Sequence, residues 1–303
     1  MEIDDVVWDG EYDGESFELL VENDVLLGCH WPCKEGSPKY VILYMHGLCS
    51  AVTFNANVLR IFSDHGGASL ACDHRGHGRS PGNRSQTTIP LLIQEITQLI
   101  LYAKLRYPDI PIFLFGHSLG GLASLCFCHR RPCASSLLKG VIITAPWLKA
   151  AKFPNPSIWI RMGLAIGSRI APNFGINTGL DVSKSTYPQK YKDLVSKSSY
   201  MLVKASPLLI NSVLPNMEYI SSNPCQFPRE MPILFMQGTS DKLVDLNTNV
   251  EWAKVVCSNN NCEDSELILY EGAPHDIMKS FARGDAFRSM FSYIEKLCSI
   301  KIH

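Results

Sequence analysis

The sequence predicts an α/β fold: a mostly parallel central sheet with helices on both faces and an inserted helical lid. Three observations lead there. Short apolar runs recur along the chain and are nearly continuous, as strands buried on both faces of a parallel sheet read. Segments with helical spacing alternate with them. The rhythm then breaks between Trp147 and about Tyr200, where no run reads as a strand.

The elements follow in order. Ser16 to Leu20 and Val25 to His30 read as an antiparallel hairpin at the sheet edge. Strand-like runs come next at residues 40–45, 68–72, 112–115, 140–144, 233–236 and 266–270. Residues 89–107 have helical spacing, with Leu92, Ile96, Leu99, Ile100 and Leu105 assigned to one face. Residues 285–297 repeat the pattern with Phe287, Met290, Phe291 and Ile294. Inside the break, Pro154 and Pro156 precede a helical run from Ser157 to Ile170, and a loop rich in Pro, Asn and Gly follows. These limits divide the chain into a core of residues 1–146 and 201–303 and a lid of residues 147–200. There is no internal repeat and no low-complexity tract.

Composition narrows the function. The 303 residues suit one large domain or a core with a lid, and 46% are hydrophobic. With 28 basic against 29 acidic residues, there is no cationic surplus to hold phosphates, so no nucleic-acid partner is expected. No apolar run reaches the roughly 18 residues that a membrane span needs. The expectation is a soluble chain, at most peripheral to a membrane. The acidic stretch Met1 to Asp13 has no apolar signal region, and 11 cysteines fit free thiols in a reducing, cytoplasmic compartment. Cys126 and Cys128 stand too close to pair as zinc ligands, so structural thiols are expected and no metal. No Walker loop or dinucleotide fingerprint occurs, and no cofactor is implied.

The chemistry centres on Gly116-His117-Ser118-Leu119-Gly120, between a strand and a helical segment at 122–131. In that context G-x-S-x-G forms a tight elbow that exposes a nucleophilic serine at a helix N-terminus. The serine needs a base, and the base an orienting acid, in the order Ser, acid, His. Downstream histidines are His129, His275 and His303. His129 lies on the nucleophile helix and His303 ends the chain, which leaves His275 in the loop after a strand. Asp241 follows the strand at 233–236 and is the expected acid, with Asp245 as its rival. Asp276 adjoins the histidine and is poorly placed to orient it. The oxyanion hole needs two backbone amides. Leu119 supplies one, and Leu48 in His46-Gly47-Leu48 the other. His46 itself reads as a structural histidine, as does the stretch Asp73 to Ser80, with Arg75 held by backbone carbonyls.

Together, His46-Gly47, Asp73-His74-Arg75-Gly76-His77-Gly78-Arg79-Ser80, Gly116 to Gly121, Gly238 to Val244 and Glu271 to His275 resemble the monoacylglycerol lipase and lysophospholipase branch of the α/β-hydrolases. The similarity runs from about Lys39 to Leu297. The lid segment Ile170 to Phe174 with Leu180-Asp181 resembles the same branch. This resemblance implies Ser118 as nucleophile, Asp241 and His275 as its partners, and Leu48 and Leu119 as oxyanion donors. Two departures stand near the implied headgroup pocket. Leu48-Cys49-Ser50-Ala51 replaces a common Gly-Glu-His-Ser run, and Ser206-Pro207-Leu208 replaces a common Asp-Pro-Leu.

The run 156–170 is apolar on most of its circumference and must meet the core, a lipid or a membrane. Packing over the cleft is the expectation, with Trp159, Ile160 and Leu164 against an acyl chain and Arg161 and Arg169 snorkelling at the rim. Direct contact with a membrane surface is the other reading. The expected reaction is hydrolysis of carboxylic esters of monoacyl lipids through an acyl-enzyme. A peptidase on the same fold would need lid carboxylates for the substrate amine, and between Trp147 and Pro188 only Asp181 is acidic. A non-catalytic ligand-binding protein would be expected to lack a triad member. Cys49, next to Leu48, is either a thiol within reach of bulky reagents or a buried small hydrophobe.

Overall fold

The structure, a computed structural model, describes residues 12–151, 156–172, 174–177, 189–202, 204–259, 261 and 264–302. The hairpin β1 (Glu15–Val21) and β2 (Asp24–Trp31) opens the chain. Then come β3 (Tyr40–Met45), α1 (Ala56–Asp64), β4 (Gly67–Cys72), α2 (Ile89–Arg106), β5 (Ile112–His117), α3 (Leu119–Arg130), the single turn α4 (Pro132–Ser135) and β6 (Gly140–Thr144). The break in the strand rhythm holds α5 (Ile158–Ile170), the two-residue β7 (Ile176–Asn177) and α6 (Gln189–Lys197). The chain continues with β8 (Lys204–Ala205), α7 (Pro207–Ser222), β9 (Ile233–Gly238), α8 (Leu246–Asn259), β10 (Glu266–Tyr270) and α9 (Arg283–Cys298).

Eight strands form one sheet in the order β1-β2-β4-β3-β5-β6-β9-β10. It is parallel from β4 to β10, and β2 runs against β4. The inner strands are apolar throughout because both faces are covered: β3, β4, β5, β6 and β9 are buried at every position. Alternate residues feed opposite layers. Val41, Leu43 and Met45 pack in the layer with α2, α3, α7 and α8, and Tyr40, Ile42 and Tyr44 in the layer with α1 and α9.

Two expectations need correction. A strand does occur between Trp147 and Tyr200: β7 pairs antiparallel with β8, Ile176 opposite Ala205. Two residues are too few to leave a periodic trace. Leu105 is 86% exposed, whereas Leu92, Ile96, Leu99 and Ile100 are buried. At 100° per residue, position 105 has turned about 240° from position 99 and leaves the apolar face.

The topology positions the site. From β3 the chain steps to β4 on one side, and β5 takes the other side. The carboxyl ends of β3 and β5 therefore flank a switch point, where open α/β sheets bind ligands. The register sets Met45 opposite Gly116 and His117 opposite Thr144, so loops after β3, β5 and β6 meet at one edge.

Candidate active site

Ser118 stands between β5 and α3 with φ 54° and ψ −115°. A non-glycine residue there stores roughly 1–3 kcal/mol of strain, which its surroundings must hold. They do: Ser118 N–H donates to Thr144 O at 3.0 Å, and Ser118 O accepts from Leu122 N at 3.0 Å and Trp147 N at 3.1 Å. Close approach requires the neighbouring glycines. A Cβ at Gly120 would lie 2.1 Å from Met45 O, and one at Gly47 would lie 3.2 Å from Ser118 Cβ. The loop after β3 is thus pressed against the serine. α3 begins at Leu119 and aims its N-terminal amides at the same point.

His275 Nδ1 lies 2.7 Å from Asp241 Oδ2. Asp241 Oδ2 also accepts from Gln237 Nε2 at 3.0 Å, and Oδ1 accepts from Leu243 N at 2.8 Å and Val244 N at 3.1 Å. Burial pushes this carboxyl up, but the facing His275 and the two backbone amides outweigh it and hold it below the usual carboxylate range. An ionised Asp241 accepts the hydrogen bond at His275 Nδ1, so in the neutral ring Nε2 carries the lone pair. The His275 loop reaches the elbow through His117, whose ring centroid is 4.9 Å from that of His275. The rival Asp245 is occupied elsewhere. Its Oδ1 accepts from Thr248 N at 3.0 Å and caps α8. Asp276 pairs with Lys279 rather than His275.

The expected oxyanion loop carries a bracing network. His46 Nε2 accepts from His74 N at 3.1 Å, so Nδ1 carries the proton and donates to Gly47 O at 2.9 Å. Because the peptide is planar and trans, that bond turns the Leu48 N–H to the opposite side. His74 stacks on His46 at 3.6 Å and binds Glu95 at 2.8 Å, with all three side chains buried. Burial lowers the His74 imidazolium, but Glu95 reverses this and the net shift is upward. Burial and the neighbouring His74 push His46 down and keep it neutral. His46 and the stretch from Asp73 to Ser80 are structural, as expected, with one correction. Arg75 pairs with the Asp24 carboxylate at 2.9 Å, not with backbone carbonyls, because β2 brings that aspartate alongside.

Cys49 lies in the turn closed by Ser50 N donating to Gly47 O at 3.3 Å, with φ 60° and 2% exposure. Of the two readings of this thiol, burial favours the small hydrophobe. N-ethylmaleimide is expected to inactivate wild type and Cys49→Ser alike, or neither.

Around α5 the structure shows the exposure of each expected residue and one pairing that the sequence did not suggest. Trp159 and Ile160 are exposed, and Leu164 is half-buried on the side that faces α7. No residue of α5 is fully buried. Arg161 does not snorkel. Its guanidinium makes a bidentate pair with Glu218 of α7, and its Nε donates to Pro156 O at 3.0 Å. Arg169 is exposed at the last turn. Pro154, Leu180 and Asp181 lie outside the described residues, as does Asn173.

Sequence reasoning passed over His117, Gln237, Asn55 and Lys279, and weighed Asp276 only as a partner for His275. Only His117 carried a signal, as the variable residue inside the elbow motif. It bonds Thr144 Oγ1 at 3.0 Å, and burial pushes it down to about 4, so it stays neutral beside His275. Among the described residues no group of His, Cys, Asp and Glu could hold a metal ion, and ten cysteines are free. No described helix is long and apolar enough to cross a membrane.

Comparison with known proteins agrees with this architecture. The model of the family "Serine aminopeptidase, S33" matches residues 36–280. A mouse monoglyceride lipase is 26% identical over 254 residues, covering 82% of this chain and 79% of that protein. A phospholipase of Bacillus subtilis is 24% identical, covering 88% of this chain and 99% of that one. Among solved structures, a soluble variant of monoglyceride lipase from Saccharomyces cerevisiae, in complex with a substrate analog, superposes with a TM-score of 0.80. It is 20% identical and covers 94% of this chain and 96% of its own. The likeness to that structure speaks to the fold. The family model covers most of the chain, which therefore belongs to the serine aminopeptidase S33 family as a monoacylglycerol lipase-like α/β-hydrolase.

Proposed function

We propose that this carboxylic ester hydrolase cleaves monoacyl lipids, monoacylglycerols or lysophospholipids, through a Ser118-His275-Asp241 triad. The observation that carries the reading is the 2.7 Å His275–Asp241 pair at the strained Ser118 elbow. In the first half-reaction Ser118 Oγ attacks the ester carbonyl carbon and His275 Nε2 takes its proton. The tetrahedral intermediate places its oxyanion on the Leu48 and Leu119 amides. Its collapse breaks the bond to the alcohol, and His275 returns the proton to the leaving oxygen. Water then attacks the acyl-enzyme with His275 as base, releasing the fatty acid and free Ser118.

Residues 147–200 form the lid in this reading, inserted between core residues 1–146 and 201–303. The exposed face of α5 meets a lipid surface, which delivers substrate to the rim. Each methylene moved from water into an apolar site is worth roughly 0.8 kcal/mol, so the acyl chain supplies most of the binding. An aminopeptidase needs a carboxylate for the substrate amine. Among the described residues, Glu218 is a carboxylate beside α5, and it is already paired with Arg161.

A chain-length series of p-nitrophenyl esters, followed by monoacylglycerol and lysophospholipid, tests the proposal. kcat/KM is expected to rise with chain length and to be retained on at least one of the two lipids. A preference for acetyl esters or for amides, with neither lipid cleaved, would overturn it.

A further inference from the structure

A buried cation behind the His275–Asp241 pair has no part in the reaction as written. Lys279 is 3% exposed in the turn after the base loop. Its Nζ lies 2.5 Å from Asp276 Oδ2 and donates to Asn55 Oδ1 at 3.0 Å. It also stands 4.9 Å from the centroid of the Tyr191 ring on α6. Each partner belongs to a different part of the site. Asp276 directly follows His275. Asn55 Nδ2 donates to Ser50 Oγ at 3.1 Å and Ala51 O at 2.9 Å, just beyond the Leu48 amide. Asn55 Oδ1 also accepts from Tyr44 OH of β3 at 3.1 Å. Tyr191 comes from the segment between β6 and β9 and meets the Phe54 ring edge-on.

Stability alone is a poor account of such a group. Replacing a buried ion pair by apolar residues of equal volume is often neutral or stabilising. What this ammonium does is join three segments that are distant in sequence. Lys279 and Asn55 are 224 residues apart.

We propose that Lys279 is a positioning residue for ester hydrolysis: through Asp276 it sets the His275 loop, and through Asn55 it sets the turn that carries the Leu48 amide. Tyr191 ties both to α6. The proposal rests on the triad reading above. It also has an electrostatic side. Among the described residues, Asp241, His117 and Asp276 interact with His275, and Lys279 and Tyr191 stand against Asp276. Burial pushes the Asp276 carboxyl up, and Lys279 overrides this and keeps it ionised. With Lys279 in place the two charges largely cancel at His275. Without it, Asp276 favours the imidazolium.

The test measures kcat, KM and the pH dependence of kcat/KM on a soluble ester, with fluorophosphonate titration to count active sites. The variants are Lys279→Met, Lys279→Arg and Lys279→Met/Asp276→Asn. Lys279→Met should lower kcat per titrated site about tenfold to a hundredfold with KM near wild type. Its acid limb should move up by about one pH unit. Lys279→Arg should keep the wild-type limb and recover part of kcat. The double variant should return the limb to wild type while kcat stays low, because the tether to Asn55 is still missing. A folded Lys279→Met with wild-type kcat and limb overturns the proposal. If that variant does not fold, the neutral double variant decides, and wild-type kcat there overturns it. Wild-type protein that takes up no fluorophosphonate is a different result: it refutes the triad reading itself.

Discussion

α3 and α5 are helices of 12 and 13 residues, both rich in apolar side chains, yet ten residues of α3 are buried and none of α5. α3 lies on the sheet with α2 and α7 against it, and its Gly120 touches the backbone of β3. α5 packs on α7, and a Cβ at its Gly163 would meet nothing within 4 Å. Ile158, Trp159, Ile160, Met162, Ile166 and Ile170 are left exposed. The contrast separates two tasks. Chemistry is mounted where packing leaves no freedom, so strain at Ser118 can be held. Apolar surface, which the proposed function assigns to a lipid, is carried where little protein covers it.

The comparison breaks first at the elbow. Ser118→Ala should lower kcat by roughly 10⁴ to 10⁶, and adding His275→Ala should cost little more, because the two act as one unit. Residual turnover near wild type in Ser118→Ala would remove any catalytic meaning from the packing of α3.

Next comes the orienting carboxylate. Asp241→Asn should lower kcat about 10⁴-fold with the fold intact, since His275 then takes the wrong tautomer. Asp245→Ala removes a helix cap and should cost about 1 kcal/mol of stability with kcat unchanged. Thermal melts and kinetics on both variants check this, and a reversed pattern would exchange the two assignments.

On the other side of the comparison, Trp159→Ser/Ile160→Ser should leave kcat/KM for a soluble short ester within about twofold. Turnover of lipid presented in vesicles should fall by about tenfold, since two exposed apolar side chains leave the lipid surface. Equal losses on both substrates would place these residues in the cleft instead.

The smallest effect concerns pH. His129 lies on α3 with both ring nitrogens unpartnered among the described residues, between the Tyr219 and Phe227 rings. Burial and the adjacent Arg130 push it down to about 4. The unfolded chain takes its proton first, near pH 6.5. Stability is therefore highest above that value and falls as pH drops toward about 4. His129→Phe should shrink this slope, and melting temperatures at pH 5 and 8 should converge relative to wild type. His77 and His117, at about 3 and about 4, keep part of the slope. An unchanged slope would show that His129 is not neutral in the fold.

Local signals carried much of this architecture, and long-range pairings carried the remainder. The runs at 40–45, 140–144 and 266–270 coincide with β3, β6 and β10, because doubly covered or abruptly bounded strands write their limits in apolar residues. The elbow, Asp241 and His275 each sit just beyond a strand, so chain order alone could bring them into view. Nothing local announces that Arg161 meets a carboxylate 57 residues away. The same holds for Lys279 at Asn55. Apolar content also cannot say what covers a helix, which is why Trp159 and Ile160 were expected at the cleft and lie exposed.

A long-chain alkyl fluorophosphonate is added with and without excess monoacylglycerol, and the adduct is mapped by peptide mass spectrometry. With Ser118 as nucleophile and monoacylglycerol as substrate, one adduct is expected, on Ser118, slowed by monoacylglycerol and absent in Ser118→Ala. An adduct elsewhere that abolishes esterase activity, or monoacylglycerol hydrolysis by protein that takes no label, would contradict this assignment.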